Sequence, residues 1–527
     1  VETQAPQAKW REHAVRLRAA LLAEGGLPLL WIALTLVTLV PVWTQRLLPM
    51  LDTPSHLALA RGWHSYHDPA YRIANYYDLR IRPVPYIAFY FVIDLFMYVV
   101  SIETANKLFL SAYLILFPLS VLAIARALHR SPWLALGAFP LAFNQNWIYG
   151  FSSYLMGIAL AFFALASLIR LLDAPTWRRA LALMAVCLLS YSFHILPWAS
   201  FGLCAIALLY ARRRELRTIA IAALAMAPSV LVAVFAIVND RHEGVYLKAE
   251  SSFSGTFSDF VASVKQWPGR VLELYPGRYD GMAFIVLLLT VFVLVQWRGA
   301  RGDDEGRSGR VLALVLVILG LEYVSLPYSI SKPLSWWYVA PRVPAMMAPL
   351  FLLLPAGRFD GWRRLAVAPF VLVAILLPLK LSSLYRDFSR RNAGFMRLCD
   401  QIPTGANAFV VFRGMTRGKG SAEMSGDPAT SAPVHWHYAS WPMALHGGYG
   451  AHIFDQGVPI RPRAKDKLVA PTMAESDDFA FRKAPDFDYY VIRLAPDFFD
   501  REPSVKLVQR IGDWSLYQRV HPLTDEP

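Results

Sequence analysis

The chain is short of charge and short of cysteine. Only 17% of its 527 residues are Asp, Glu, Lys or Arg, whereas soluble globular proteins carry roughly 25%. Its three cysteines are Cys187, Cys204 and Cys399. Two lie in apolar blocks and one in a polar stretch, which excludes a disulfide framework and the paired spacings of a zinc site. No short tandem repeat recurs, so solenoids and arrays are excluded. No inverted repeat is visible either, which weakens a secondary-transporter reading. The basic segment KWREHAVRLRAALL (9–22) precedes the first apolar block without a small-residue cleavage site. It reads as a cytoplasmic leader, residues 1–25, ahead of a retained first span.

Apolar surface takes the place of charge: 56% of residues are hydrophobic and 13% aromatic. They gather in blocks near 26–44, 85–100, 104–125, 131–143, 153–172, 178–192, 195–210, 217–238, 282–297, 311–328, 342–356 and 365–383. About 20 apolar residues cross a bilayer core as a helix. The expected fold class is therefore a polytopic α-helical membrane protein of about 11–13 transmembrane helices, with the transmembrane domain at 26–383. After residue 384 the chain turns polar and rich in Pro, Gly and Asp. The runs AFVVF (408–412), YYVI (489–492) and VKLVQRIGDWSLYQRV (505–520) pattern as strands. Residues 384–527 thus form a C-terminal soluble domain of mixed α/β type.

A formal charge of +14 would suit nucleic acid, but its distribution points elsewhere. Basic clusters at Lys9–Arg18, Arg126–Arg130, Arg170–Arg179, Arg212–Arg217, Arg298–Arg310 and Arg358–Arg364 fall between apolar blocks, the pattern that fixes cytoplasmic loops. The excess is topological and implies no nucleic-acid partner. The aromatic- and His-rich loops between them, chiefly 45–84 and 239–281, then face outward, as does the tail. One conflict arises at RALHR (126–130), which stays inside only if 85–100 dips into the membrane without crossing it.

The first outer loop opens with LDTPSHLALARGWHSYH (51–67). Asp52 or Thr53 at a cap and Pro54 in the first turn predict a helix, amphipathic and lying on the membrane surface. His56, Ala60, Trp63 and His64 share one of its faces. A loop of this length is usually functional or disordered, and its aromatics argue against disorder. Other candidates are scattered. Arg80 and Arg82 end the loop, and Lys332, Trp336 and Arg342 sit in SKPLSWWYVAPR (331–342). His194 breaks an apolar stretch, and Asp94 and Glu322 are carboxylates inside apolar blocks, where such groups are costly and functional by default. In the tail, His435 and His437 form an H-x-H that on a strand would present both rings to one face, with His446 and His452 nearby. Loose spacing and the lack of a nearby cysteine leave a divalent metal unsupported, and no cofactor is implied.

LDTPSHLALAR resembles a D-x-P-x-H-L-A pattern in bacterial membrane proteins of the GT-C superfamily of glycosyltransferases, and NWIYGFSSYLMGIALAFFALA (146–166), containing Tyr149, resembles their next recurrent block. The resemblance implies a bacterial inner-membrane enzyme with an extracytoplasmic tail. It implies a polyprenyl-phosphate-linked sugar donor and a glycan, lipid or protein acceptor. It gives Asp52 the role of general base, with His56 beside it. Better-known branches carry two adjacent acidic residues here, whereas Asp52 is followed by Thr53. The departing lipid phosphate needs positive charge, for which Arg80, Arg82, Lys332 and Arg342 are candidates. Tyr149, His194 and Trp336 join them as substrate-binding candidates, and Asp94, His435 and His437 as outlying ones. The competing readings are a flippase or transporter of lipid-linked glycans and a non-catalytic scaffold of envelope assembly.

Overall fold

The computed structural model describes residues 25–212, 215–241, 257–271, 275, 277–296, 303–330, 336–357, 359, 361–412, 427, 430, 432–450, 453–454, 458–463, 487–493, 499 and 503–520. The leader before residue 25, Lys332, His452 and most of the segment 414–428 lie outside them.

Seven helices among the described residues are long and apolar enough to cross a membrane. They are α1 (Gly25–Trp43), α4 (Ile102–Ala127), α5 (Ser152–Asp173), α8 (Leu216–Arg241), α10 (Tyr279–Gln296), α11 (Asp303–Ser325) and α13 (Ala368–Arg391), the last continuing a 3₁₀ turn at Gly361–Val367. Two more, α6 (Trp177–Phe193) and α7 (Ile195–Ala211), have 17 residues each, roughly 25 Å of rise, and α9 (Phe257–Val271) is shorter still. Helix α5 is the hub. It packs on α4, α6 and α7 and is buried along nearly its whole length. The outer helices show the opposite: Leu224 and Leu231 on α8 and Phe292 on α10 are 75%, 68% and 62% exposed. Large apolar side chains left open on successive long helices are what a lipid-facing rim requires.

Three apolar blocks do not form spanning helices. Block 85–100 folds as α3 (Ile87–Met97), 11 residues long, which suits a dip rather than a crossing. Block 131–143 is a 3₁₀ turn at Pro132–Gly137 followed by one α turn at Ala138–Leu141. Block 342–356 contains only α12 (Pro344–Phe351) after a 3₁₀ turn at Ala340–Arg342. Prolines at 132, 140, 341, 344 and 349 interrupt helical hydrogen bonding in these stretches. Both of the last two blocks are buried nearly throughout, so their apolarity serves packing between helices.

Helix α2 (Thr53–His64) does not lie open on a membrane surface. Thr53, Pro54, Ser55, Leu57, Ala58, Leu59, Ala60 and Gly62 are all buried, covering most of its circumference. It is clamped between α3 on one side and the tail helix α15 (Trp441–His446) on the other. A Cβ on Gly62 would come within 2.1 Å of Ile460 Cδ1. Strand β1 (Tyr77–Leu79) of the first loop then pairs antiparallel with β5 (Ile460–Pro462) of the tail, while β2 (Ser329–Ile330) and β3 (Trp336–Trp337) pair with each other.

The tail is a four-stranded sheet, order β4-β6-β8-β7, from β4 (Ala408–Phe412), β6 (Tyr489–Arg493), β7 (Val505–Ile511) and β8 (Trp514–Arg519). The pair β4–β6 is parallel and the others antiparallel, giving the mixed architecture expected. Helix α14 (Ala393–Cys399) packs on the β7–β8 hairpin, directly after α13 leaves the membrane domain. Arg46 ties tail to bundle: its Nη1 and Nη2 each donate to an Asp400 carboxylate oxygen at 2.7 Å, and its Nε donates to Glu103 at 2.8 Å. First loop and tail therefore form one cap over the bundle.

Candidate active site

Asp52 stands at the N-cap of α2, yet its side chain makes no capping hydrogen bond. Its backbone (φ −85°, ψ −11°) is helical instead of the extended form that turns a cap side chain onto the first turn. The expected capping role is thus absent, and the carboxylate is released to point elsewhere. Its backbone is held from a distance in sequence: Leu51 N–H donates to Ile148 O (2.9 Å) and Asp52 N–H to Tyr149 O (3.0 Å). The following Gly150 adopts φ +74°, and a Cβ there would sit 2.8 Å from Asp52 N and 2.9 Å from Thr53 N. The block 146–151 is the ledge on which Asp52 rests, and only glycine fits at its lip. Gly150→Ala is expected to cost about 1–3 kcal/mol of stability through backbone strain and to displace Asp52. A thermal melt and a turnover assay on the same sample check this, with activity falling much further than stability.

Around Asp52 the structure gathers residues from seven stretches of the chain. Arg342 extends its guanidinium so that Nε donates to Tyr338 O (2.9 Å) and Nη1 lies 3.0 Å from His194 Nε2. Its Cζ is 3.8 Å from the centre of the Phe151 ring, and Tyr154 Oη donates to its backbone carbonyl (2.8 Å). His194 caps α7 and is flanked by the rings of Tyr86 (4.7 Å) and Tyr154 (5.0 Å). Tyr149 stacks on Tyr338 at 4.6 Å, and Arg270 donates to Tyr338 Oη at 2.7 Å. His56, one turn along α2 from Asp52, has Nδ1 2.9 Å from Tyr90 Oη. From the tail, His437 Nε2 comes within 3.5 Å of Asp52 Oδ1, and Phe454 lies between the His56 and His437 rings at 4.9 and 5.1 Å.

Burial sets the electrostatics. The Asp52 side chain is only 13% exposed. Desolvation pushes its carboxyl up to about 7, and the nearby Arg342 charge only partly offsets this. His56 moves the other way, down to about 3, because burial and then the positive neighbours His437 and Arg342 disfavour its protonation. At neutral pH His56 is thus an uncharged ring, suited to holding Tyr90 and ill suited to supplying charge. Burial also lowers the Arg342 pKa, but from so high a starting value that it remains a cation. The arrangement offers a proton acceptor poised near neutrality, a partly buried cation whose field reaches it and a wall of aromatic rings.

Several expected residues are placed elsewhere. His435 and His437 are not on a strand; they lie in the turn leading into the 3₁₀ helix Tyr438–Ser440. They diverge, since His435 is fully buried with Nε2 2.9 Å from Asn392 Oδ1, in the core of the tail. Among the described residues no group of three or more His, Cys, Asp or Glu side chains is placed to hold a metal ion. Asp94 pairs with His64 at 2.8 Å, two turns along α2 from His56, so it fastens α2 to α3 and does not reach Asp52 from below. Glu322 accepts from Ser200 Oγ (2.6 Å) between α11 and α7. Arg80 N–H continues the β1–β5 ladder onto Pro459 O (2.6 Å), which puts Arg80 and Arg82 on the stretch returning from the cap to α3. The Trp336 backbone pairs with Ile330. Tyr86, Tyr90, Arg270, Tyr338 and Phe454 were not singled out from sequence. Only RPVPY, where two prolines precede Tyr86 at φ +79°, carries a local sign of a constrained residue.

Bundle and cap together make a fold already seen among solved structures. Among solved structures the chain is similar to ArnT from Cupriavidus metallidurans, with a TM-score of 0.57 at 12% sequence identity over 94% of this chain and 98% of ArnT. It also aligns with the arabinofuranosyltransferase AftD from Mycobacteria, TM-score 0.43 and 13% identity, over 94% of this chain but 42% of AftD. No protein-family model matches the sequence, and no curated protein matches it.

Proposed function

We propose that the chain transfers a sugar from a polyprenyl phosphate to an acceptor hydroxyl at the Asp52 site, on the extracytoplasmic face of a bacterial inner membrane. The observation that carries this reading is a carboxylate with only 13% of its side chain exposed, pushed up to about 7 by burial and within the field of the partly buried Arg342, under the cap of a fold similar to that of ArnT. Asp52 takes the acceptor proton as the acceptor oxygen bonds to the anomeric carbon. The bond from that carbon to the phosphate oxygen breaks, and its electron pair leaves with the phosphate. Attack opposite the leaving group inverts the anomeric centre. A base with a pKa near the working pH is both available and strong enough for this task.

Arg342 holds the departing phosphate. Its planar fork suits phosphate, and it works in a site screened from water, where a fixed cation acts more strongly than in solution. Donor binding also tunes the base: a phosphate on Arg342 cancels the charge that lowers the Asp52 pKa, so Asp52 becomes a stronger base once the donor is in place. Tyr149, Tyr338 and Tyr86 supply rings for sugar or prenyl contact.

Two measurements test the reading. Undecaprenyl phosphate is titrated onto the purified chain, followed by native mass spectrometry. Saturable binding that exceeds phosphatidylcholine binding, weakens in Arg342→Gln and persists in Asp52→Asn supports it; binding indifferent to Arg342 removes the phosphate assignment. The kcat/KM for sugar transfer should rise with pH through about 7 as Asp52 of the free protein loses its proton and then level off, with the midpoint of kcat lying higher. A rate that falls across pH 6 to 8 is incompatible with Asp52 as base.

A further inference from the structure

A cavity of ≈ 680 Å³ opens at the end of the helix bundle away from Asp52. The separation follows from the helices themselves. Helix α5 begins two residues after Gly150, which touches Asp52, and ends at Asp173 on the cavity, a rise of roughly 33 Å. Helix α7 likewise starts at His194, beside Arg342, and brings Leu208 and Ala211 to the cavity at its other end. The cavity is no extension of the sugar-transfer site.

Its lining is divided. Ile169, Leu172, Leu208 and Leu314 make an apolar wall continuous with the bundle, whereas Arg212, Arg307 and Arg310 stand at the polar side with the hydroxyls of Thr218 and Ser308. Two carboxylates hold Arg212 and Arg307 in place. Asp173 accepts from Arg212 (3.2 Å) and Arg307 (3.0 Å), and Glu215 accepts from Arg212 (2.9 Å). Three guanidiniums against two carboxylates leave the lining with one arginine charge in excess. The volume lies within the range of about 300–1,000 Å³ typical of small-molecule sites. A free anion would have no use for the apolar wall, and a neutral lipid no use for the arginines. Basic pockets between transmembrane helices are where anionic headgroups bind.

We infer that this cavity binds a singly charged anionic phospholipid of the phosphatidylglycerol class. Its phosphodiester lies on Arg307 and Arg310, and its glycerol and upper acyl carbons lie against Leu208 and Leu314. One phosphodiester charge balances the one excess guanidinium. The site is independent of the proposed sugar transfer and stands whether or not that reading does.

The test is competitive lipid binding to the purified full chain by native mass spectrometry, with phosphatidylglycerol and phosphatidylcholine of equal acyl length. Wild type should favour phosphatidylglycerol at least ten-fold at one high-affinity site. The double variant Arg307→Gln/Arg310→Gln should lose that preference. Leu314→Trp, which fills the cavity and keeps every charge, should lose it too. Arg178→Gln, a basic residue near the same end of the bundle but outside the lining, should retain it. The proposal is overturned if wild type shows no preference, if Arg178→Gln loses as much as the double variant, or if Leu314→Trp binds like wild type. Displacement of the lipid by glycerol 3-phosphate at equal concentration would also overturn it, because the apolar wall would then contribute nothing.

Discussion

Replacing Asp52 by asparagine will lower sugar transfer by about 10²–10⁴-fold, the usual contribution of a positioned base, while leaving the fold intact. It will also make the protein harder to melt above pH 7. A carboxyl whose pKa rises from 3.8 to about 7 on folding binds its proton more tightly in the native state. The native state is favoured on that account below about pH 4, and the advantage fades as pH rises through about 7. Above that, wild type carries a buried charge whose cost is on the order of 4 kcal/mol, and the asparagine variant does not. Thermal melts at pH 5.5 and 8 check this, with the gain of Asp52→Asn larger at pH 8. Equal melting temperatures at pH 8 would show that burial is not what raises the carboxyl. A flippase or a scaffold gives Asp52 no proton to take, so unchanged function in Asp52→Asn would favour one of those readings.

Arg342→Gln is expected to cost about 10²–10³-fold in kcat/KM, the magnitude seen when a fixed electrostatic donor leaves a site. Its second effect separates a phosphate-holding role from general damage. Arg342 lowers the Asp52 pKa, so its loss will move the pH–rate midpoint upward from about 7. Arg342→Lys keeps the charge and will hold the midpoint near that of wild type. Rate will still fall, because lysine cannot reproduce the fork that reaches Tyr338 O and His194 while lying over Phe151. An unmoved midpoint in Arg342→Gln would mean that the two groups do not sense each other.

The residues of the site differ in how far their sequence surroundings reveal them. Asp52 and His56 announce themselves as polar groups directly after a long apolar run, and Arg342 as a charge between an aromatic loop and an apolar block. Tyr90 and Phe454 carry no such mark. Each is an aromatic among aromatics, and it reaches His56 only through the docking of α3 and of the tail on α2. The same limit explains the helices. Apolarity measures removal from water, and α4 and the 131–143 block achieve it differently, one by spanning and the other by filling a gap between spans. Sequence spacing likewise paired His435 with His437, whereas a turn sends one into the core of the tail and the other to Asp52.

The ring of His437 at Asp52 and of Phe454 at His56 gives the tail a standing that its place in the chain conceals. Modules appended to membrane enzymes are often interchangeable, because a linker joins them to a centre that is complete without them. Here the centre is shared. A chimera that exchanged residues 393–520 for another tail would replace part of the wall around the carboxylate, along with the strand that pairs with Tyr77–Leu79. A foreign tail would therefore have to restore the contacts of His437 and Phe454 before the carboxylate regained its surroundings.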